Sequence, residues 1–396
     1  MNSRSAKFSW TVEIRHWVWL AFGVLCLACL GCASLLTAGE LHTAPDLKVH
    51  EWGTFSAIAS NNGRALQWQT LQGTTDLPEF VEHFSIANFK SGLLGTIRME
   101  TPVLYFYSPR DVQVSVNVKF SRGVITEWYP HAVSTQPGEA MRNTDLRQLR
   151  SSGSIEWDGV TVSPELSPEF PREAPSSRYY AARETSSTPL GVETKSGRQQ
   201  EKFLFYRGVS AASLPLSAVQ NASGDLLVKS LDDNEIPAVI FFERRGRRVG
   251  YRLVDVPTNE VVLQPPGLTG ELEPLLGDLE RVLLDQGLYP DEAHAMVKTW
   301  HDSWFEEGSR LIYIVPHRFV DQILPLSVAP SPSEIVRFFV GRLEIVTPAT
   351  AKEVSMALAR HDQSTLNKYG RFLKAILQIT SKQPPNPKRN RAANGP

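Results

Sequence analysis

The sequence predicts a mainly β (α+β) protein: two β-sandwich-like modules, with a helical insertion late in the chain and a helix closing it. Three observations predict it. Apolar and polar residues alternate over most of the stretch from Val49 to Val162, as on strands with one buried face. Turn signals, Asp158-Gly159 and Gly246 among them, recur between the apolar runs. Between Gly270 and Gly308 the apolar spacing changes to three and four residues, the period of an amphipathic helix.

Residues 1–39 read as a signal anchor or signal peptide. Arg4, Lys7 and Arg15 precede Trp17–Gly39, which holds no charged residue. A helix needs roughly 20 apolar residues to cross a bilayer. Basic residues on its near side keep the N-terminus cytoplasmic and export the rest. Three fates fit: cleavage near Ala38, lipid attachment at Cys32, or retention with Trp17 and Trp19 as an interfacial belt. Leu30-Gly31-Cys32 resembles the end of a bacterial lipobox, with Cys29 where that pattern has Leu. A retained or lipid anchor is expected, hence a membrane-anchored, extracytoplasmic protein, periplasmic or on the cell surface. All three cysteines, Cys26, Cys29 and Cys32, lie inside this apolar stretch. They are not read as metal ligands, because thiolate sites need a polar, folded setting. From Glu40 onward the chain has no cysteine, so core packing alone must hold it.

Residues 40–165 form the first expected β module. Val112 to Phe120 alternates strictly, Ser121-Arg122-Gly123 turns, and Val124 to Tyr129 returns as a hairpin partner. Ile155-Glu156-Trp157, Asp158-Gly159 and Val160-Thr161-Val162 signal a second hairpin. Residues 166–200, rich in proline and serine, read as a surface loop or linker. The second module is expected over 201–348, with its clearest hairpin from Ala238 to Val254 around Gly246 and the helical insertion at 270–308. One helix there runs to Gly287, which stops it, and the next opens at Pro290 with Asp291 and Glu292 in its first turn. The buried face of the latter is Ala293, Met296, Val297, Trp300 and Trp304. Thr350 and Glu353 look like a capping box opening a C-terminal helix over 349–380. The basic, proline-rich tail 381–396 is expected to be disordered.

The chemistry starts from Val49-His50-Glu51-Trp52-Gly53-Thr54-Phe55. Strand alternation groups Glu51 with Leu47, Val49, Phe55 and Ala57, and puts His50, Trp52 and Thr54 on the other face. A carboxylate among apolar side chains must be protonated, paired or hydrogen-bonded. Glu100 is a second such case, sharing a face with Leu104 and Phe106. Paired in a cleft, Glu51 and Glu100 suit acid–base work on a glycoside. Alternatively each is neutralised by an arginine such as Arg98, Arg310 or Arg342 and serves the fold. Trp52 and Trp68, with His50, are the candidates for stacking on a ligand, since Trp128, Trp300 and Trp304 fall on buried faces. Arg244, Arg245, Arg247 and Arg248 crowd one hairpin tip. They either grip phosphate groups, anionic lipid included, or solvate an exposed turn. His294 and His301 lie two turns apart, about 10 Å along a helix, too far for one zinc ion. No metal-binding helix motif, nucleophile elbow or phosphate loop occurs, so neither a metal nor a cofactor is expected. Hydrophobic residues at 42% are ordinary for a globular protein. The net charge of -1 gives no bulk attraction to nucleic acid.

His50-Glu51-Trp52-Gly53-Thr54-Phe55, Glu100-Thr101-Pro102-Val103 and Lys202-Phe203-Leu204-Phe205-Tyr206-Arg207-Gly208 resemble segments of an uncharacterised group of exported bacterial β-rich proteins. The resemblance covers most of the body and implies a bacterial cell-envelope setting, without implying a reaction. Two functions are carried forward. The first is a tethered binding or structural protein of the envelope recognising a glycan or a protein partner. The second is an extracytoplasmic, glycosidase-like hydrolase using Glu51 and Glu100.

Overall fold

The computed structural model describes residues 43–71, 76–84, 93–136, 153–174, 177–231, 235–255 and 259–381. The signal segment 1–39, the lipidation candidate Cys32 and the tail 382–396 lie outside the described residues. The fold is mainly β, with several antiparallel sheets and helices gathered toward the C-terminus.

A nine-stranded sheet forms the middle layer. Its strands are β1 (Thr43–Ile58), β2 (Glu82–His83), β3 (Ile97–Tyr107), β4 (Gly123–Tyr129), β5 (Phe203–Ser210), β6 (Ala238–Arg245), β7 (Arg248–Asp255), β8 (Gly308–Ile314) and β9 (Ser331–Ile345). They lie in the order β7-β6-β8-β9-β1-β3-β5-β4-β2. The β1–β9 pair at the centre is parallel, while β1–β3, β3–β5 and β8–β9 are antiparallel. Phe203–Ser210 and Gly308–Ile314 are buried at every residue, as strands covered on both faces must be.

On one face lies a six-stranded sheet that includes Val112–Phe120, Gly153–Val162 and Leu326–Ala329. The core between the two sheets takes Leu47, Val49, Phe55, Leu104, Phe106, Leu204 and Leu343 from one side. From the other it takes Val114, Val116, Val118, Ile155, Trp157 and Val160. The opposite face is covered by α1 (Glu273–Asp285), α2 (Pro290–Trp304) and a 3-10 helix at Arg178–Arg183. Their apolar sides meet Trp52, Val103, Tyr105, Phe203, Phe205, Ile312, Phe338 and Val340. Trp300 and Trp304 are fully buried there. Each such ring removes about 150–250 Å² from water, on the order of 4–6 kcal/mol of gross burial. Beyond α3 (His317–Ile323), the helices α4 (Pro348–Ala359), α5 (Gln363–Asn367) and α6 (Leu373–Ser381) pack on Ile58 and Trp68.

The two expected modules share this one sheet: β1, β3 and β4 from the first stretch and β5 to β9 from the second are neighbours. Residues 166–200 contribute the buried Tyr179 and Tyr180 and the paired strands Leu190–Thr194 and Gly197–Glu201, rather than a bare linker. Val112–Phe120 and Gly123–Tyr129 do not form a hairpin; the turn at Arg122 (φ 51) carries the chain from the six-stranded sheet into the nine-stranded one. Asp158-Gly159 is not a turn either. Gly153–Val162 runs straight through, with Val114 opposite Val160 and Val116 opposite Trp157. Gly159, at φ 65, absorbs the extra residue as a bulge. The single C-terminal helix is broken. Thr347, rather than Thr350, caps α4, and His361 at φ 54 with Asp362 as the next cap separates α4 from α5. The hairpin around Gly246 and the start of α2 at Pro290 stand where the sequence puts them.

Candidate functional site

Glu51 is fully buried on the sandwich face of β1. The Tyr206 hydroxyl donates to its Oε1, and Arg337 Nε donates to its Oε2 at 2.6 Å. Parallel pairing sets Arg337 directly beside it, since Glu51 and Arg337 are register partners of β1 and β9. Arg337 also donates through Nη1 to Asp321 of α3 at 2.8 Å, so a charge chain leads from the sheet to the surface. Burial and the Glu51 charge act on Arg337 in opposite directions, and with Tyr206 and Asp321 the net effect is a guanidinium held more firmly protonated. Burial pushes the Tyr206 phenol well up, and the Glu51 charge pushes it further. Arg337 floors a shallow surface pocket of about 440 Å³ lined also by His317, Asp321, Pro325, Leu326 and Ile335.

Glu100 lies on the other face. The face shared with Leu104 and Phe106, expected from unbroken alternation, is corrected by a bulge: Trp52 opposes Val103 but Thr54 opposes Glu100. Thr101 and Pro102 thus face Gly53 alone, and Thr101 takes φ 49. A side chain at Gly53 would sit 3.1 Å from Pro102 Cα and 2.7 Å from the Phe339 ring, so glycine is needed at this crossing. Arg371 Nη1 donates to Glu100 at 2.9 Å, and Arg98 Nε lies 4.0 Å away. Burial works to raise the Glu100 carboxyl, but Arg371 and Arg98 together hold it well below the usual carboxylate range. It is an ionised carboxylate, whereas a general acid needs a raised one.

Glu51 and Glu100 therefore do not open into a common cleft; a sheet separates them. Hydrolysis by two carboxylates requires both to flank one bond, about 5–9.5 Å apart. Their hydrogen-bonded arginine partners are Arg337 and Arg371, neither of which was singled out by sequence, while Arg98, which was, adds a longer ion pair to Glu100. Arg310 and Arg342 instead meet Glu344, at 2.9 and 2.8 Å. These pairs belong to a belt of charges crossing the helix-side face: Arg310 on β8, Arg342 and Glu344 on β9, Arg98 and Glu100 on β3, Arg207 on β5, Glu127 on β4.

His50 is buried against α2. Its Nδ1 is 2.9 Å from Glu292 Oε2, while the Tyr107 hydroxyl donates to Oε1 at 2.8 Å and the Tyr289 backbone N–H to Oε2 at 2.9 Å. The same Glu292 that the sequence places in the first turn of α2 thus fastens the helix layer to β1. Trp52 and Trp68 are not surface platforms. Trp52 is enclosed under the helix layer near Tyr105, and Trp68 packs 5.5 Å from Phe372. The α-helices that cover them lie more than 200 residues away in sequence, as the Arg371–Glu100 contact does at 271.

The arginine tip divides. Arg245 is committed inward, to Glu243 at 3.0 Å, Thr347 at 3.2 Å and Thr350 at 3.1 Å. Arg244 donates to Phe305 O at 3.0 Å. Only Arg247 and Arg248 are exposed. The sequence reading missed Arg337, Tyr206, Asp321 and Glu292. A single arginine inside Ile335-Val336-Arg337-Phe338-Phe339-Val340 was the available signal, because a cation in an apolar strand demands a counter-charge.

No protein-family model matches the sequence, and no curated protein does. Among solved structures the chain is similar to the "Fcho1 Mu homology domain (Danio Rerio) with bound Eps15 peptide", at 7% identity and a TM-score of 0.29, covering 77% of this chain and 99% of that one. A score that low does not show a common fold. Among the described residues no helix is long and apolar enough to cross a membrane.

Proposed function

We propose that this protein is a membrane-tethered binding module of the bacterial cell envelope, and that its body docks a protein partner at the Arg337 pocket. One observation carries the reading: the pocket adjoins an open strand edge. Leu326–Ala329 ends the six-stranded sheet, paired on one side with Val112–Phe120 and, among the described residues, with no strand on the other. Leu326 lines the pocket, and Ile335 beside it keeps 45% of its surface exposed. An extended segment adding to such an edge gains backbone hydrogen bonds, and a side-chain pocket supplies selectivity. Among the described residues no tryptophan, tyrosine or phenylalanine lines the pocket, which favours a peptide over a sugar ring as occupant.

The test uses the full chain in detergent, immobilised and challenged with envelope protein fractions and with cell-wall polysaccharide. Leu326→Asp with Ile335→Asp should abolish retention of the protein ligand while the melting temperature stays within a few degrees. Retention of polysaccharide alone, untouched by both substitutions, would remove the basis of the reading.

A further inference from the structure

The charge belt is unevenly paired at one end. Around Glu100 five guanidiniums, of Arg98, Arg178, Arg207, Arg342 and Arg371, meet four carboxylates, of Asp76, Glu100, Glu127 and Glu306. Arg207 grips Asp76 with both Nη atoms, at 2.7 and 3.0 Å, Arg178 Nε lies 3.7 Å from the same carboxylate, and Arg371 is committed to Glu100 at 2.9 Å. Arg98 is left over. Its Nη1 donates to the Thr70 carbonyl at 3.0 Å, and the nearest carboxylate oxygen is 4.0 Å from its Nε.

The unmet donors gather at the same place. Among the described residues, Arg98 Nε, Arg207 Nε, Arg371 Nε, Thr54 Oγ1 and Thr70 Oγ1 are buried without a hydrogen-bond partner, against one unmet carboxylate oxygen there, Glu100 Oε1. Thr54 is the cross-strand neighbour of Glu100, and Arg98 reaches the backbone of Thr70. Buried donors are ordinarily satisfied, and an uncompensated buried cation is costly. Burial draws the Arg98 guanidinium down from its ordinary value; Glu100 opposes this, while Arg371 and Arg207 add to it. The cluster is not sealed, since the side chains of Arg98, Arg371 and Asp76 keep 11, 15 and 20% of their surface.

We propose that Arg98, with Arg207, Arg371, Thr54 and Thr70, forms a binding site for a tetrahedral oxyanion, a phosphate or sulfate group either free or carried as an ester. Guanidinium forks and hydroxyls are the donors that such oxygens take. One anionic group supplies the missing negative charge and several acceptors at once. The Arg337 pocket opens on the opposite face of the sheet, so this site stands or falls independently of the docking reading.

Thermal unfolding of the full chain tests it. Inorganic phosphate, sulfate and glycerol 3-phosphate are each titrated against chloride at equal ionic strength, for wild type, Arg98→Met and Thr70→Val. Wild type should gain melting temperature with at least one oxyanion and not with chloride. Arg98→Met should lose that gain, with affinity at least tenfold weaker, and should melt no lower than wild type without the ligand. Thr70→Val should weaken binding several-fold, and it carries the test alone if Arg98→Met does not fold. A stronger response to glycerol 3-phosphate points to an ester as the natural source, and a stronger response to phosphate or sulfate to the free ion. Identical responses to every salt, or an oxyanion response that both variants retain, would refute the site.

Discussion

Glu100→Gln separates a carboxylate that holds the fold from one that performs chemistry. The substitution keeps the shape of a side chain that is 1% exposed but removes the charge between Arg371, at 2.9 Å, and Arg98, at 4.0 Å. Breaking a buried pair by removing one partner costs about 3–5 kcal/mol, because the other charge stays buried. In a domain of this size each kcal/mol is worth about 2 °C, so the melting temperature should fall by roughly 6–10 °C. The pH dependence has a definite sign. The folded-state carboxyl is held below its ordinary value, so its stabilisation is fully present above the unfolded value, about pH 4.3. It is lost as the pH falls from there through the folded value. The gap between wild type and variant, read from urea midpoints by circular dichroism, should be widest near neutrality and shrink below about pH 4. Adding Arg371→Met should return part of the loss, since the stranded cation goes with it. A variant within about 1 kcal/mol of wild type at pH 7, or a gap indifferent to pH, would refute the assignment of Glu100 to the fold.

Three further outcomes are expected. Gly341→Ala would bring a Cβ to 2.0 Å from the Tyr313 ring, an overpacking that costs about 1–3 kcal/mol or more, as denaturant midpoints would show. Glu292→Gln should loosen α2 from β1 by about 3 kcal/mol. Urea midpoints followed by circular dichroism should show that loss. Arg247→Gln with Arg248→Gln should leave stability within about 0.5 kcal/mol, whereas Arg245→Gln, which loses Glu243, Thr347 and Thr350, should not.

What could be seen in advance divides by the range of the interaction. Proline at 290 followed by two acids, and apolar residues at helical spacing, specify α2 through contacts within a few turns. The hairpin at Gly246 is equally local. Asp158-Gly159 was ambiguous because a left-handed glycine serves a turn and a bulge alike; a strand long enough to pair on both sides of it decides the matter. Period-two counting failed at Glu100 for a related reason, since one bulge at Thr101-Pro102 reverses every side chain beyond it. The need of Glu51 for a partner followed from its apolar neighbours, but the partner's identity depended on β1 lying parallel to β9. Trp52 stands out as a surface candidate only because Trp128, Trp300 and Trp304 fall on faces the sequence marks as buried, and nothing near Trp52 in sequence announces the helices above it.

The parallel contact between β1 and β9 imposes an order on assembly. Glu51 and Arg337 stand 286 residues apart, and chain elongation runs at about 5–20 residues per second. The first strand therefore spends roughly 15–60 s with one hydrogen-bonding edge bare and a carboxylate lacking its cation. Neither half of the polypeptide can complete the central sheet alone. Nascent chains halted before Ser331 should be the forms that chaperones and proteases capture, and release should coincide with the arrival of that late strand.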